Sequence, residues 1–462
     1  MLKLTISILS FFLIVISYGD INAAENKWLD KNEDEIIESV LRSADKDIDL
    51  GCILLVLAKE YYPNIEVKKY LDILDSMAKE IRGQIGSQKE PKDVIQKIND
   101  YLFESKGFKT APTIYWDQRE NYDEKALLNK VLDNKSGNCL GLSSLYLALA
   151  ERLNLPVYGV LSPDHIFIRY DDGKYVRDME TNKNGAELKP SAYDCYLAPL
   201  MNKTDELLFF NELTNDDVVF FGYLKSIPKR DVIRMLFVNR GMVYCDKYDY
   251  RKAESDWKKA IKISSNPAST HFLIASFLSK FKSVDRDYNI VLSHLNEAIK
   301  ISPTYYGSYE LKGDLLSSRG YPYDIKEELN PVVSLYSKAI ELNSSLPRIY
   351  YRRGVIYELM GEYDNAIKDI DHAIKLPPLY NKCHLIRAKF LFHKGDNDSA
   401  LKELGVAIQL DIKYSEAYYF RGLIYKKLGK KQEAIKDFNY YLELDPKSTR
   451  TELVQQYIKE LQ

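Results

Sequence analysis

The chain has 462 residues, of which 45% are hydrophobic, and a formal net charge of −2. This length and apolar content suffice for two or three domains with cores of their own, which excludes a single small module. The near-neutral charge argues against a nucleic-acid-binding surface and against a strongly acidic disordered tail. Function therefore has to be sought in individual sites or in shape.

Residues 1–24 have the pattern of a secretory signal peptide. Lys3 precedes an apolar run from Ile6 to Ile16, and Ala23 and Ala24 provide small residues for cleavage. The run is short for a bilayer span, and an uncleaved anchor is the alternative. We expect an exported chain, periplasmic or secreted in the bacterial manner, with no membrane span after signal cleavage.

The five cysteines are too widely spaced for a disulfide framework. They are Cys52, Cys139, Cys195, Cys245 and Cys383. No pair of cysteines, and no cysteine with a histidine, has the spacing of a zinc site. The sequence predicts no metal and no cofactor.

Residues 25–110 are predicted to be helical, because apolar residues recur there at helical spacing. A further helix begins after Asn138, which is suited to cap it, and ends before Pro156. Cys139 lies in its first turn, where the positive end of the helix dipole and a nearby imidazolium can stabilise a thiolate. The alternative is a free cysteine that packs as a small core residue.

Strands follow this helix at 157–161, 165–170 and 174–180. The second begins with His165, the only histidine before residue 271. A two-residue turn at Asp172-Gly173 would place Glu180 directly opposite His165 and Asp178 on the diagonal. Glu180 is therefore the first choice for orienting the imidazole, and Asp178 is the second.

The C-terminal half repeats itself with a period near 34 residues. Small residues recur where two helices cross, large ones fill the groove between helix pairs, and proline ends the second helix. One copy has Gly354, Tyr357, Ala366, Ile370, Ala373 and Pro378, and a later copy has Gly422, Tyr425, Ala434, Phe438, Tyr441 and Pro446. This pattern resembles the tetratricopeptide repeat, which implies a solenoid with a groove for a protein or peptide partner.

The segment around the cysteine is similar to the transglutaminase-like, papain-related fold. The order is a helix that starts with Cys139, a strand with His165 and a strand with Asp178 or Glu180. The runs Gly137-Asn138-Cys139-Leu140-Gly141-Leu142-Ser143 and Pro163-Asp164-His165 resemble the SirB1-type branch of this fold. The resemblance implies an α+β core preceded by a helical segment and followed by an all-α repeat solenoid.

These inferences divide the chain into six parts. They are a signal peptide (1–24), a helical segment (25–110), the transglutaminase-like core (111–200), a linker (201–233), about six repeats (234–448) and a capping helix (449–462).

The thiol of Cys139, the imidazole of His165 and the carboxylate of Glu180 or Asp178 predict a cysteine hydrolase or acyltransferase. It would act on amide bonds of a protein or peptide. His165 would take the thiol proton, Cys139 would attack the carbonyl, and the Cys139 N–H would donate to the oxyanion. Tyr115, Trp116 and Asn138 are candidates for the second oxyanion donor. The alternative is a non-catalytic protein-binding scaffold with a degenerate core.

Overall fold

The computed structural model describes residues 27–87, 90–111, 125–162, 165–188, 215–279, 286–318, 326–376 and 381–462. These residues form two compact units, one extending to Leu278 and the other beginning at Ser279. The predicted signal peptide lies outside the described residues. In the described ranges, no helix combines the length and the apolar character that crossing a membrane requires.

The first unit begins with a layer of helices, as the sequence predicts. They are α1 (Glu33–Arg42), α2 (Leu50–Leu57), α3 (Val67–Ile85) and α4 (Pro91–Asn99), and a π-helical turn (Asp100–Ser105) continues α4. Asn32 and Glu35 form a reciprocal capping box at the start of α1. Every residue of α2 is buried, which explains why this helix is apolar on all sides.

The α+β core of this unit follows. Strand β1 (Lys109–Thr110) pairs in parallel with β2 (Ser136–Gly137), and α5 (Leu128–Asn134) precedes β2. Helix α6 (Cys139–Arg152) leads into β3 (Val157–Ser162), β4 (His165–Asp171), β5 (Val176–Glu180) and β6 (Ala186–Glu187). With β7 (Ser226–Ile227), these strands form a five-stranded antiparallel sheet in the order β6-β5-β4-β3-β7.

The predicted register of the β4–β5 hairpin is wrong by two residues. Asp171 pairs with Val176 and Arg169 with Asp178, so the connecting loop has four residues instead of two. The side chain of Asp172 accepts hydrogen bonds from the backbone N–H groups of Lys174 and Tyr175, which stabilises the longer loop. A shift of two residues preserves the face on which each side chain lies, whereas a shift of one would reverse it.

The expected linker, 201–233, contains ordered elements of the first unit. Its described part includes α7 (Asn215–Phe221) and β7, which pairs with β3 at the edge of the sheet. The unit is completed by α8 (Lys229–Asp246), α9 (Tyr250–Ile263) and α10 (Pro267–Leu278). The start of the predicted repeat region therefore belongs to the same compact unit as the core.

Arg240 joins the hairpin of α8 and α9 to the first helix of the chain. Its guanidinium donates to both carboxylate oxygens of Asp256 on α9, each at 2.6 Å, and also binds Glu33 on α1 at 2.6 and 2.9 Å. Lys259 donates to the same Glu33 carboxylate at 2.5 Å. Burial opposes the charge on Glu33, but the two cations outweigh it and lower the pKa of Glu33.

The second unit consists of helices that pack as consecutive hairpins. The helices are α11 (Arg286–Ile301), α12 (Tyr306–Ser317), α13 (Lys326–Leu342), α14 (Pro347–Leu359), α15 (Tyr363–Lys375), α16 (Asn381–Lys394), α17 (Asn397–Leu410), α18 (Ser415–Lys427), α19 (Lys431–Leu444) and α20 (Thr451–Leu461). A Cβ on Gly422 would lie 2.7 Å from the ring of Phe438, which shows why this crossing requires glycine. Helix α20 packs against the last hairpin and covers its apolar face.

Candidate active site

Cys139 occupies the first turn of α6, as predicted, and the start of this helix is held in place by several contacts. The side-chain oxygen of Asn138 caps the helix by accepting from the Gly141 N–H at 2.9 Å. The Asn138 N–H donates to the Lys125 carbonyl at 3.0 Å. A Cβ on Gly141 would clash with the same carbonyl oxygen, so only glycine allows this approach.

His165 is the imidazole that the structure brings to Cys139. It begins β4, and its Nε2 lies 2.7 Å from Oε2 of Glu180 at the end of β5. It also makes a side-chain hydrogen bond with Cys139. Because Glu180 occupies Nε2, Nδ1 is the nitrogen available to exchange a proton with the thiol.

The electrostatics of the site favour a protonated imidazole. Burial disfavours the charged ring, but hydrogen bonds to Cys139 and Glu180 and the attraction of the same two groups raise the pKa of His165 to about 10. Glu180 is only 1% exposed. Its other oxygen accepts from the Asn182 N–H at 2.8 Å, so the carboxylate is fixed at both oxygens.

Glu180 reaches His165 although the predicted register is wrong. Continuing the observed register places Phe167, not His165, opposite Glu180. The carboxylate nevertheless lies on the same face of the sheet as the imidazole. It is two residues along the strand from the position opposite His165, and it contacts the imidazole diagonally. The prediction that Glu180 contacts His165 therefore required only the correct face of β5, not the exact residue pairing.

Asp178, the second choice, is placed elsewhere. It lies opposite Arg169, not opposite Phe167 as predicted, and accepts a bidentate pair of hydrogen bonds from its guanidinium at 2.6 and 2.7 Å. Arg169 also donates to the Leu224 carbonyl at 3.1 Å. These contacts give Asp178 a structural role that links the sheet to the segment before β7.

The structure describes two of the candidate oxyanion donors, Cys139 and Asn138. The backbone N–H of Cys139 is in the first turn of α6, where such groups have no partner within their own helix. Asn138 uses its side-chain oxygen as the helix cap. Tyr115 and Trp116, the other candidates for the second donor, lie outside the described residues.

Sequence reasoning missed the residues that support Glu180. The hydroxyl of Thr110 on β1 donates to the Asn182 carbonyl at 2.6 Å, and Ser143 on α6 shares a buried hydrogen bond of 3.1 Å with Thr181. These pairs are separated by 72 and 38 residues, so no local pattern connects them. They attach the turn after β5 to the strand and helix on either side.

The other cysteines that the structure describes lie away from the surface. Cys52, Cys245 and Cys383 are buried and form no disulfide, and Cys195 lies outside the described residues. Burial raises the pKa of the Cys383 thiol to about 11. Within the part of the chain that the structure describes, no three His, Cys, Asp or Glu side chains are grouped as a metal site.

Comparison with known proteins identifies the families that two parts of the chain match. Residues 68–220 match the model of the transglutaminase-like superfamily. Residues 347–376 and 415–448 match the tetratricopeptide repeat. The chain contains a transglutaminase-like domain and C-terminal tetratricopeptide repeats, as its sequence predicts.

Among curated proteins, the chain is similar to SirB1 and related proteins. It is 26% identical to protein SirB1 of Salmonella typhimurium over 165 residues, which is 35% of this chain and 58% of the relative. It is 28% identical to a UPF0162 protein of Xylella fastidiosa over 136 residues, which is 29% of this chain and 47% of the relative. The chain therefore spans about half the length of the curated relatives it matches.

Among solved structures, the chain is similar to YrrB, a tetratricopeptide-repeat protein. The identity is 17%, the match covers 44% of this chain and 97% of YrrB, and the TM-score is 0.35.

Proposed function

We propose that the chain is an exported cysteine hydrolase or acyltransferase that acts on amide bonds of a protein or peptide, which its repeats recruit. The observation that carries this proposal is the contact of His165 with both Cys139 and Glu180. A thiol, an imidazole and a carboxylate in this order can generate a thiolate nucleophile and hold the imidazole in one orientation.

The reaction follows from these three groups. The proton of the Cys139 thiol passes to Nδ1 of His165, and the sulfur attacks the substrate carbonyl carbon while the Cys139 N–H donates to the oxyanion. Collapse of this adduct forms a thioester and expels the amine, which takes the proton from His165. Water or a second amine then attacks the thioester, loses its proton to His165 and restores the thiol. Throughout, Glu180 accepts from Nε2–H and stabilises the imidazolium.

The repeats supply the proposed means of recruitment. Tetratricopeptide repeats typically bind peptides or proteins, and here they occupy a compact unit after the catalytic residues. Export is proposed from the composition of residues 1–24 alone. N-terminal sequencing of the mature chain from a bacterial host tests it, with cleavage near Ala23 or Ala24 as the expected result.

Iodoacetamide labelling of the full chain tests the activated cysteine. Mass spectrometry would follow alkylation at Cys139 from about pH 6 to pH 9, a range that brackets the thiol pKa of about 8.5 expected for free cysteine. We expect faster alkylation of Cys139 in the parent than in His165→Ala at each pH, because the imidazole can accept the thiol proton.

Buried Cys383 provides the internal control, because its raised pKa and burial should keep it unlabelled in the folded protein.

Reaction with p-nitrophenyl acetate tests whether the Cys139 sulfur can attack a carbonyl carbon and form a thioester. We expect a burst of nitrophenol and an acetylated Cys139, both lost in Cys139→Ala and kept in Cys383→Ala. An activated thiol without acylation would favour the non-catalytic scaffold, and equal pH profiles with and without His165 would refute the triad.

A further inference from the structure

The helix that carries Cys139 also contacts the end of β5 through a pair of hydroxyls. Ser143 lies four residues after Cys139 on α6, and residues at this spacing share one face of a helix, about 6 Å apart along its axis. Thr181 directly follows Glu180 and begins a 3₁₀ turn (Thr181–Lys183). The hydroxyls of Ser143 and Thr181 form a hydrogen bond of 3.1 Å. This contact joins the helix of the thiol to the strand of the carboxylate.

Both hydroxyls are shielded from water. Ser143 and Thr181 are each 0% exposed, so neither can replace this hydrogen bond by one with solvent. A buried polar group that loses its partner is costly, and the bond therefore holds the two elements at one separation. Most of the other side chains that α6 buries are apolar. Apolar contacts have no preferred direction and fix the position of a helix less strictly.

The turn after β5 holds Glu180 as well as Thr181. The N–H of Asn182 donates to Oε1 of Glu180 at 2.8 Å, while Oε2 lies 2.7 Å from Nε2 of His165. On the other side, the hydroxyl of Thr110 donates to the Asn182 carbonyl at 2.6 Å. A shift of this turn would move the peptide group that holds one carboxylate oxygen, and with it the oxygen that contacts the imidazole.

We propose that Ser143 and Thr181 are positioning residues for the site at Cys139. Their hydrogen bond sets the distance between α6 and the end of β5, and thereby the place from which Glu180 orients His165 towards the thiol. This inference rests on the proposed function, because it concerns the same three groups. A contact that only stabilised the fold would lower stability and leave the reactivity of the thiol unchanged.

Alkylation of Cys139 by iodoacetamide in the full chain, near pH 6, tests this role. Thr181→Val removes the hydroxyl and keeps the branched shape of the side chain, and Ser143→Ala removes the hydroxyl on the helix. We expect each to slow alkylation of the folded protein by about fivefold, the factor that corresponds to one neutral hydrogen bond. Thr181→Ser keeps the hydroxyl and should restore the rate of the parent. Ser144→Ala removes the adjacent buried hydroxyl of α6 and is the matched control, which should react like the parent.

The same substitution combined with His165→Ala separates positioning from stability. Without the imidazole, the place of Glu180 no longer affects the thiol, so Thr181→Val should slow alkylation no further. Circular dichroism would check that each variant is folded. Parent-like rates in folded Thr181→Val and Ser143→Ala would overturn the inference, as would equal slowing with and without His165. Equal rates in the parent and His165→Ala would instead refute the proposed triad, and this inference with it.

Discussion

The two buried carboxylates of β5 allow the effect of a substitution on Cys139 reactivity to be distinguished from its effect on stability. Glu180 contacts His165, whereas Asp178 is paired with Arg169. Replacing Glu180 by glutamine preserves the shape of the side chain and removes its charge. A hydrogen bond to a charged group contributes about 1.5–3 kcal/mol, so Glu180→Gln should slow the alkylation of Cys139 near pH 6 by about 10- to 100-fold.

Asp178→Asn is the matched control on the same strand. Asp178 is 5% exposed and bidentate to Arg169, so its neutralisation removes a buried carboxylate charge that pairs with this partly buried guanidinium. This should destabilise the first unit by about 3–5 kcal/mol. The alkylation rate of the protein that remains folded should change little, because the carboxylate of Asp178 is engaged by Arg169 and that of Glu180 orients the imidazole.

The assay is a timed iodoacetamide pulse with quantification of modified Cys139, together with urea unfolding to measure stability. The expected pattern is a large loss of rate with Glu180→Gln and a large loss of stability with Asp178→Asn. If Asp178→Asn slows alkylation of the folded protein as much as Glu180→Gln does, the orientation of His165 by Glu180 is refuted.

Three further predictions concern stability, measured by urea unfolding. Gly141→Ala should destabilise the first unit by about 1–3 kcal/mol, because its Cβ meets a backbone carbonyl, whereas Gly83→Ala in open space should stabilise it by about 0.5–1 kcal/mol. Tryptophan fluorescence would follow this transition, and losses of equal size would contradict the close approach. In the second unit, Leu404→Ala removes a side chain that is 0% exposed and should reduce stability by about 2–5 kcal/mol. Leu410→Ala, at 57% exposure, should change the stability by less than about 0.5 kcal/mol. Equal losses of stability for the two variants, followed by circular dichroism, would contradict the burial of Leu404 between the helices. Because the pKa of His165 is raised on folding, its protonated imidazole stabilises the folded state. This contribution is complete below the unfolded pKa of about 6.5 and should disappear as pH rises through about 10. A stability difference between the parent and His165→Ala that persists unchanged above that pH would contradict this sign.

Features that depend on neighbouring residues could be predicted from the sequence. Asn138 caps α6 as its position indicates, and Cys139 lies in the first turn because the cap fixes where the helix begins. The tetratricopeptide pattern likewise recurs once in each pair of helices, so small residues such as Gly422 identify where the two helices cross.

Features that depend on turn geometry or on distant partners could not be predicted. Asp172 can form either a two-residue turn or the longer loop, and its side-chain hydrogen bonds to Lys174 and Tyr175 select the latter. Strand β7 is only two residues long and becomes a strand by pairing with β3. Such a short segment has no alternation of its own that a sequence pattern could reveal.

The contact between Arg240 and Glu33 changes where this protein can be divided. A fragment that ended before the first repeat would retain Cys139, His165 and Glu180 but would lose the guanidinium that neutralises Glu33. The smallest self-contained piece bearing the candidate site therefore extends to Leu278. The hairpin of α8 and α9 is thus part of the unit that bears the candidate site, and exchange of repeats between relatives would be expected to begin only beyond it.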